Sequence, residues 1–184
     1  MVTNHPSRDP RKHGWYGKIF SEMEIKPARI IWHHSADNSD DAQFHKINVY
    51  HKSLNFPLSA LGYYVGYHYL IEANGAVIQA RKETEIGAHD QGENSNSLGI
   101  CLAGNFNIRY PSEAQSASAA LLIKQIRTRW PIPVTRIEPH RWDDTTDCPG
   151  TLVADNFLIN EFLKREGSVF ARYFYEVGKY LKLL

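Results

Sequence analysis

An α/β fold, a central mixed β-sheet flanked by α-helices, is what this sequence predicts, on three observations. Short apolar runs of strand length alternate with longer segments of helical periodicity, which points to one sheet with helices on its faces. Asn74-Gly75 separates two apolar runs in "YHYLIEANGAVIQAR", a strong hairpin signal that adds an antiparallel pair to the sheet. The 184 residues fit one domain that can bury a core without disulfide staples, and no segment repeats.

Taken in order, residues 1–28 are rich in Pro, Gly and charge, with Trp15, Tyr16, Ile19 and Phe20 as anchors, and read as an arm packed over the domain. "ARIIWHHSADNS" is a buried strand opening into a polar loop. In "SDDAQFHKINVYHKSL", Ser39 with Asp40 and Asp41 offers a helix start, and Phe44, Ile47 and Tyr50 or His51 recur at helical spacing. The Asn74-Gly75 hairpin follows, then the strand "NSLGICLAGNF" bounded by turn residues. "SEAQSASAALLIKQIRTRW" reads as a capped helix between Pro111 and Pro131. "PVTRIEPH" is a last short strand, and "TLVADNFLINEFLKRE" after Pro149-Gly150 is helical, closing a domain over 29–165. In the remaining stretch, 166–184, Phe170, Tyr173, Phe174, Val177, Tyr180, Leu181 and Leu184 recur at steps of three or four, an amphipathic helix. It is too short and too charged to span a bilayer, and suits either packing on the domain or transient contact with an anionic membrane surface.

Composition narrows the function classes. A net charge of +1 gives no field for bulk nucleic-acid binding, so no nucleic-acid partner is expected. No run approaches the length of a membrane span, and the N-terminus lacks the apolar core of a secretory signal. A monomer made in the cytoplasm without a signal peptide is the expectation.

The chemistry sits in "EPHRWDDTTDCPG", where His140 and Cys148 share one polar loop. Their spacing is too wide for one helical face or a finger-type knuckle, so the pair needs a third group from elsewhere. "IIWHHS" supplies His33 and His34 where a buried strand meets solvent. Two imidazoles and a thiolate suit Zn2+, and three protein ligands leave a fourth position open, as in catalytic rather than structural sites. Zinc there would lower the pKa of water from about 16 to roughly 7 and polarise an amide carbonyl. Spacing alone also fits a buried core histidine and an inert thiol among the nine histidines. Two cysteines are too few for a disulfide framework, and Cys101 lies mid-strand as a small buried hydrophobe.

The ordered motifs "IIWHHSA", "VGYHYLIEANG", "GAHDQGENSNSLGICLAGNF" and "PHRWDDTTDCPG" resemble the zinc-dependent N-acetylmuramoyl-L-alanine amidases, the family of bacteriophage endolysins and animal peptidoglycan recognition proteins. The resemblance implies an amidase-like α/β fold, zinc on His33, His140 and Cys148, and peptidoglycan as substrate. His34 is then the ligand's neighbour, because a strand alternates its side chains, and is assigned with His89 and Asn94 to the substrate groove. Tyr67, in "GYHY", matches the tyrosine that these amidases hold beside the metal, where its phenol stabilises the oxyanion; without the resemblance it reads as a strand tyrosine. Thr146 matches a catalytic position that is often lysine in phage enzymes and threonine in recognition-protein amidases, and it can hydrogen-bond but carries no charge. Non-catalytic relatives commonly replace the cysteine with serine, and wall-recycling amidases usually show aspartate there, so Cys148 favours a catalytic endolysin over a recognition module or a recycling enzyme.

Overall fold

The computed structural model describes residues 24–39 and 41–167. The expected N-terminal arm up to residue 23 and the C-terminal helix from residue 168 lie outside them. Five strands, β1 (Arg29–His34), β2 (Tyr69–Ile71), β3 (Val77–Gln79), β4 (Ser97–Leu102) and β5 (Ile137–Pro139), form one sheet in the order β3-β2-β4-β1-β5. β1 pairs in parallel with β4 and β5, β4 in parallel with β2, and β3 closes the hairpin antiparallel to β2. The sheet is therefore mixed, as expected.

β1 and β4 are buried at every position, which is why they read as continuous apolar runs rather than alternating ones. The pleat still sorts their side chains. Ile30 and Trp32 of β1, Leu98, Ile100 and Leu102 of β4, and Tyr69 and Ile71 of β2 enter the main core. They pack there with Leu122, Ile123 and Ile126 of α2 (Glu113–Arg129) and Leu158 and Phe162 of α3 (Phe157–Arg165). Fully burying each such side chain is worth about 1.5–3 kcal/mol. The other face carries Ile31 and His33 of β1 and Ser97, Gly99 and Cys101 of β4, a row of small or polar groups over which the site is built.

α1 (Phe44–Ser53) starts five residues later than Ser39 suggested. The reason is a tertiary cap. Both carboxylate oxygens of buried Glu72 accept the Gln43 N–H at 2.9 Å, and one also accepts the Phe44 N–H at 2.8 Å. α2 begins as its sequence indicated, on a capping box between Ser112 and Gln115, and stops at Trp130 before Pro131. Gln115 also donates to the Ile71 and Ala103 carbonyls, which fastens the helix to the sheet.

Two segments are shorter than expected. Val134–Arg136 forms a 3-10 turn, leaving only Ile137–Pro139 as β5. The stretch after Gly150 stays irregular up to Asn156, because its amides bond elsewhere: Thr151 N–H to the Asn107 side chain at 2.7 Å and Leu152 N–H to the Phe106 carbonyl at 3.0 Å. Gly150 has φ +117°, and a Cβ there would lie 2.5 Å from the Phe106 backbone. None of the described helices is long and apolar enough to cross a membrane.

Candidate active site

The parallel strands bring the site together. His33 is next to last in β1, and the register pairing Trp32 with Pro139 of β5 places His140, the residue after β5, alongside it. The chain then makes a 3-10 turn over His140–Trp142 and returns, with Arg141 N–H donating to the Cys148 carbonyl at 2.9 Å and the Arg141 guanidinium to the Gly150 carbonyl at 2.6 Å. The loop closes on a cis Cys148–Pro149 bond.

Ligand atoms of His33, His140 and Cys148 all fall within 4.8 Å of one another. The Cys148 sulfur is 3.7 Å from Nδ1 of His33, and the two imidazole centroids are 4.4 Å apart. Nitrogen and sulfur ligands on a tetrahedral zinc stand about 3.5 Å apart, so this set needs little adjustment to hold the ion. Both cysteines are free, which leaves the Cys148 sulfur available.

The electrostatics favour a cation. Burial, and then the neighbouring His89, His140 and His34, hold His33 well below the usual imidazole range. Burial also lowers His140, against the opposing pull of Asp144 and Asp143. The ligand imidazoles are thus neutral, with lone pairs free to coordinate. Burial pushes the Cys148 thiol up to about 12, while the His34 backbone N–H and the Arg141 guanidinium favour the thiolate. A divalent cation supplies the charge that such a buried sulfur lacks, and its binding releases the thiol proton.

Around this centre the predicted residues divide. Tyr67 lies beside it, with its ring centroid 5.0 Å from that of His33. Burial, then the Cys101 and Cys148 sulfurs, push its phenol well above the ordinary value, so it stays a neutral O–H donor. The Thr146 hydroxyl accepts the Cys148 N–H at 3.1 Å and braces the ligand loop, with its own proton still free to donate.

The three residues expected in the substrate groove each make contacts within the protein. His34 projects from the opposite face to His33, is 7% exposed, and its Nδ1 accepts the Phe106 N–H at 3.1 Å. The Asn94 side-chain oxygen is occupied by the backbone, accepting the His89 N–H at 2.8 Å and the Asp90 N–H at 3.0 Å. His89 is buried, with Nδ1 3.2 Å from Nε2 of His33. Strand alternation turns His34 away from His33, and loop hydrogen bonding engages the Asn94 oxygen.

Sequence reasoning passed over Asp90, whose carboxylate lies 4.0 Å from Nε2 of His140. Burial, then Asp143, raises its carboxyl to about 6. It also passed over His51, whose Nδ1 accepts the Gly66 N–H at 2.9 Å and whose ring packs 5.5 Å from that of Tyr67, setting that tyrosine's position from α1. The helical period of "FHKINVYH" marked the buried face on which His51 falls, but not what lay opposite.

Comparison with known proteins agrees with the fold. The family model described as N-acetylmuramoyl-L-alanine amidase matches residues 23–151. Peptidoglycan-recognition protein SC2 of Drosophila melanogaster is 35% identical over 129 residues, covering 66% of this chain and 67% of that protein. The endolysin of Escherichia phage T7 is 37% identical over 57 residues, 31% of this chain and 38% of that one. Among solved structures, the N-acetylmuramoyl-L-alanine amidase LysC from Clostridium intestinale URNW superposes with a TM-score of 0.61 at 31% identity, covering 69% of this chain and 78% of LysC. A fold, an ordered set of motifs and a family model spanning most of the chain therefore coincide, and the chain belongs to the N-acetylmuramoyl-L-alanine amidase family.

Proposed function

We propose that this protein is a zinc-dependent hydrolase of the amide bond between the lactyl group of N-acetylmuramic acid and the L-alanine of the stem peptide in peptidoglycan. The observation that carries the reading is the complete His33, His140 and Cys148 set, with its thiol free and a tyrosine beside it. When bound there, zinc supplies Lewis acidity that polarises the scissile carbonyl and makes water a nucleophile near neutral pH. Tyr67 donates its phenolic proton in a hydrogen bond to the carbonyl oxygen as negative charge develops on it, an interaction strongest in the transition state. Thr146 holds Cys148 in place by accepting its backbone N–H, and its hydroxyl proton remains a second, weaker donor for the substrate.

The setting we favour is a phage endolysin, acting as a monomer on the wall after release from the host cytoplasm. The similarity to a phage endolysin and to the clostridial LysC amidase supports it. The competing reading, a recognition module that binds peptidoglycan without cutting it, draws on the similarity to recognition protein SC2.

One experiment separates the two. Purified sacculi are digested with and without a chelator, and the released ends are identified by mass. New L-alanine amino termini that appear with the metal-loaded protein and vanish with the chelator support the amidase; binding without new termini leaves the recognition module. Cys148→Ser and His140→Ala are expected to lose zinc and cleavage together, and full turnover in either variant overturns the metal assignment.

A further inference from the structure

We infer that His89 is the positioning residue that fixes the His33 ring and its tautomer for the metal, through a hydrogen bond between Nε2 of His33 and Nδ1 of His89. The inference rests on the zinc reading above and deepens it.

The His89 ring lies in a slot made by two glycines. A Cβ on Gly99 would come within 2.5 Å of the His89 ring, and so would one on Gly87. Gly99 is on the same face of β4 as Cys101, which pairs with His33 across the β1–β4 ladder. The missing side chain at Gly99 is thus the space in which an imidazole rests flat on the sheet, next to the ligand. The backbone of the same residue is pinned, because its N–H donates to the Asn94 side chain at 2.8 Å. Ring and backbone are both held, and Nδ1 is brought 3.2 Å from Nε2 of His33, with the rings edge to face at 77°.

Two tautomers satisfy that contact, and only one suits a metal. If His89 donates, the His33 proton moves to Nδ1, the nitrogen that faces the Cys148 sulfur at 3.7 Å, and the coordinating lone pair is lost. If His33 donates from Nε2, Nδ1 is bare and aimed at the cluster. The surroundings select the second arrangement. Nδ1 of His33 faces the Cys148 sulfur within the cluster, so an ion held there needs that nitrogen bare, which leaves the proton on Nε2 of His33 and Nδ1 of His89 to accept it. Polarity therefore runs one way, from the His33 N–H into Nδ1 of His89. An outer partner of this kind orients a ligand imidazole and raises its basicity, and its loss usually costs 10–100-fold in metal affinity.

The test uses the full chain and two substitutions. His89→Phe keeps a ring in the glycine slot and removes the acceptor; His89→Asn restores an acceptor oxygen close to the position of Nδ1. Zinc affinity is measured by competition with a chromophoric chelator, and the His33 tautomer of the metal-free protein by its imidazole nitrogen shifts. The expected result is a 10–100-fold weaker zinc affinity for His89→Phe, affinity within about threefold of wild type for His89→Asn, and loss of the dominant Nε2–H form of His33 only in the phenylalanine variant. The thermal midpoint of each metal-free variant shows that it folds, and if His89→Phe does not, Gly99→Ala, which displaces the ring, takes its place in the affinity measurement. Zinc affinity and His33 tautomer unchanged in a folded His89→Phe overturn the inference while leaving the zinc reading intact. A wild-type protein that takes up no zinc overturns both.

Discussion

Tyr67 is the residue at which catalysis and mere binding part company. Its phenol is held neutral beside the centre by burial and by the sulfurs of Cys101 and Cys148, and its ring is packed between those of His33 and His51. Tyr67→Phe removes a hydroxyl while keeping the ring, so zinc content should equal that of wild type and turnover should fall roughly a hundredfold or more, the usual loss for one oxyanion donor. Metal analysis and turnover on sacculi check it, and unchanged turnover reassigns Tyr67 to packing. At this scale the motifs made the cluster legible: His33, His140 and Cys148 are set by two short stretches whose strand ends the register then aligns. The contact of His89 with His33 depends on which β4 residue lies under it, a relation of sheet register that no local pattern carries. The alternation of small Ser97, Gly99 and Cys101 with large Leu98, Ile100 and Leu102 marks the two faces of β4, but not the imidazole lying on one of them.

Among the elements, α1 illustrates a helix whose start is decided by a residue far along the chain. Ser39, Asp40 and Asp41 are good capping residues, and local propensity alone would place the first turn there. Glu72 outweighs them, since a buried carboxylate accepting from two successive helix amides satisfies orphan donors and also interacts favourably with the helix N-terminus. Glu72→Gln should therefore destabilise the protein by about 1–3 kcal/mol, against under ~0.5 kcal/mol for Ser39→Ala on the surface. Urea midpoints of the two variants decide between the caps, and equal effects would return the start of the helix to the local sequence. Because His51 leaves α1 to pack on Tyr67, Glu72→Gln should also reduce turnover more than Ser39→Ala. The helices with their own signals were legible for a matching reason: the Ser112–Gln115 capping box and Pro131 bracket α2 without outside help. The start of α3 was overestimated where loop amides found tertiary partners, and β5 where Val134–Arg136 closed into a local 3-10 turn.

For the molecule as a whole, the buried imidazoles set how stability responds to acid. The site holds histidines that are neutral when folded: burial lowers His51 and His68 to about 4, and His34 on the far face likewise, and it holds His33 and His89 well below the usual imidazole range. His68 shows why they stay neutral, since its Nδ1 accepts the Gly99 N–H at 3.0 Å while Nε2 bonds the Glu85 carbonyl at 2.9 Å, so that one nitrogen must remain bare. Unfolded imidazoles titrate near 6.5, so between about pH 6.5 and 4 the unfolded chain binds more protons than the folded one, and stability rises with pH across that window. The contribution is complete above pH 6.5 and is lost as pH falls towards 4. An imidazole as fully buried as His68 accounts for about 3 kcal/mol of it. Asp90 acts with the opposite sign, because a carboxyl raised to about 6 binds its proton more tightly in the folded state and gains stability as pH falls. One buried carboxyl is outweighed by several imidazoles. Urea midpoints of the metal-free protein should consequently fall by several kcal/mol in equivalent stability from pH 7.5 to 5. Zinc should steepen the same slope, since its ligands must shed protons to bind. A metal-free stability that is flat or rising over that interval would mean that the imidazoles are charged in the folded state, and would undo the neutral, cation-seeking character assigned to the centre.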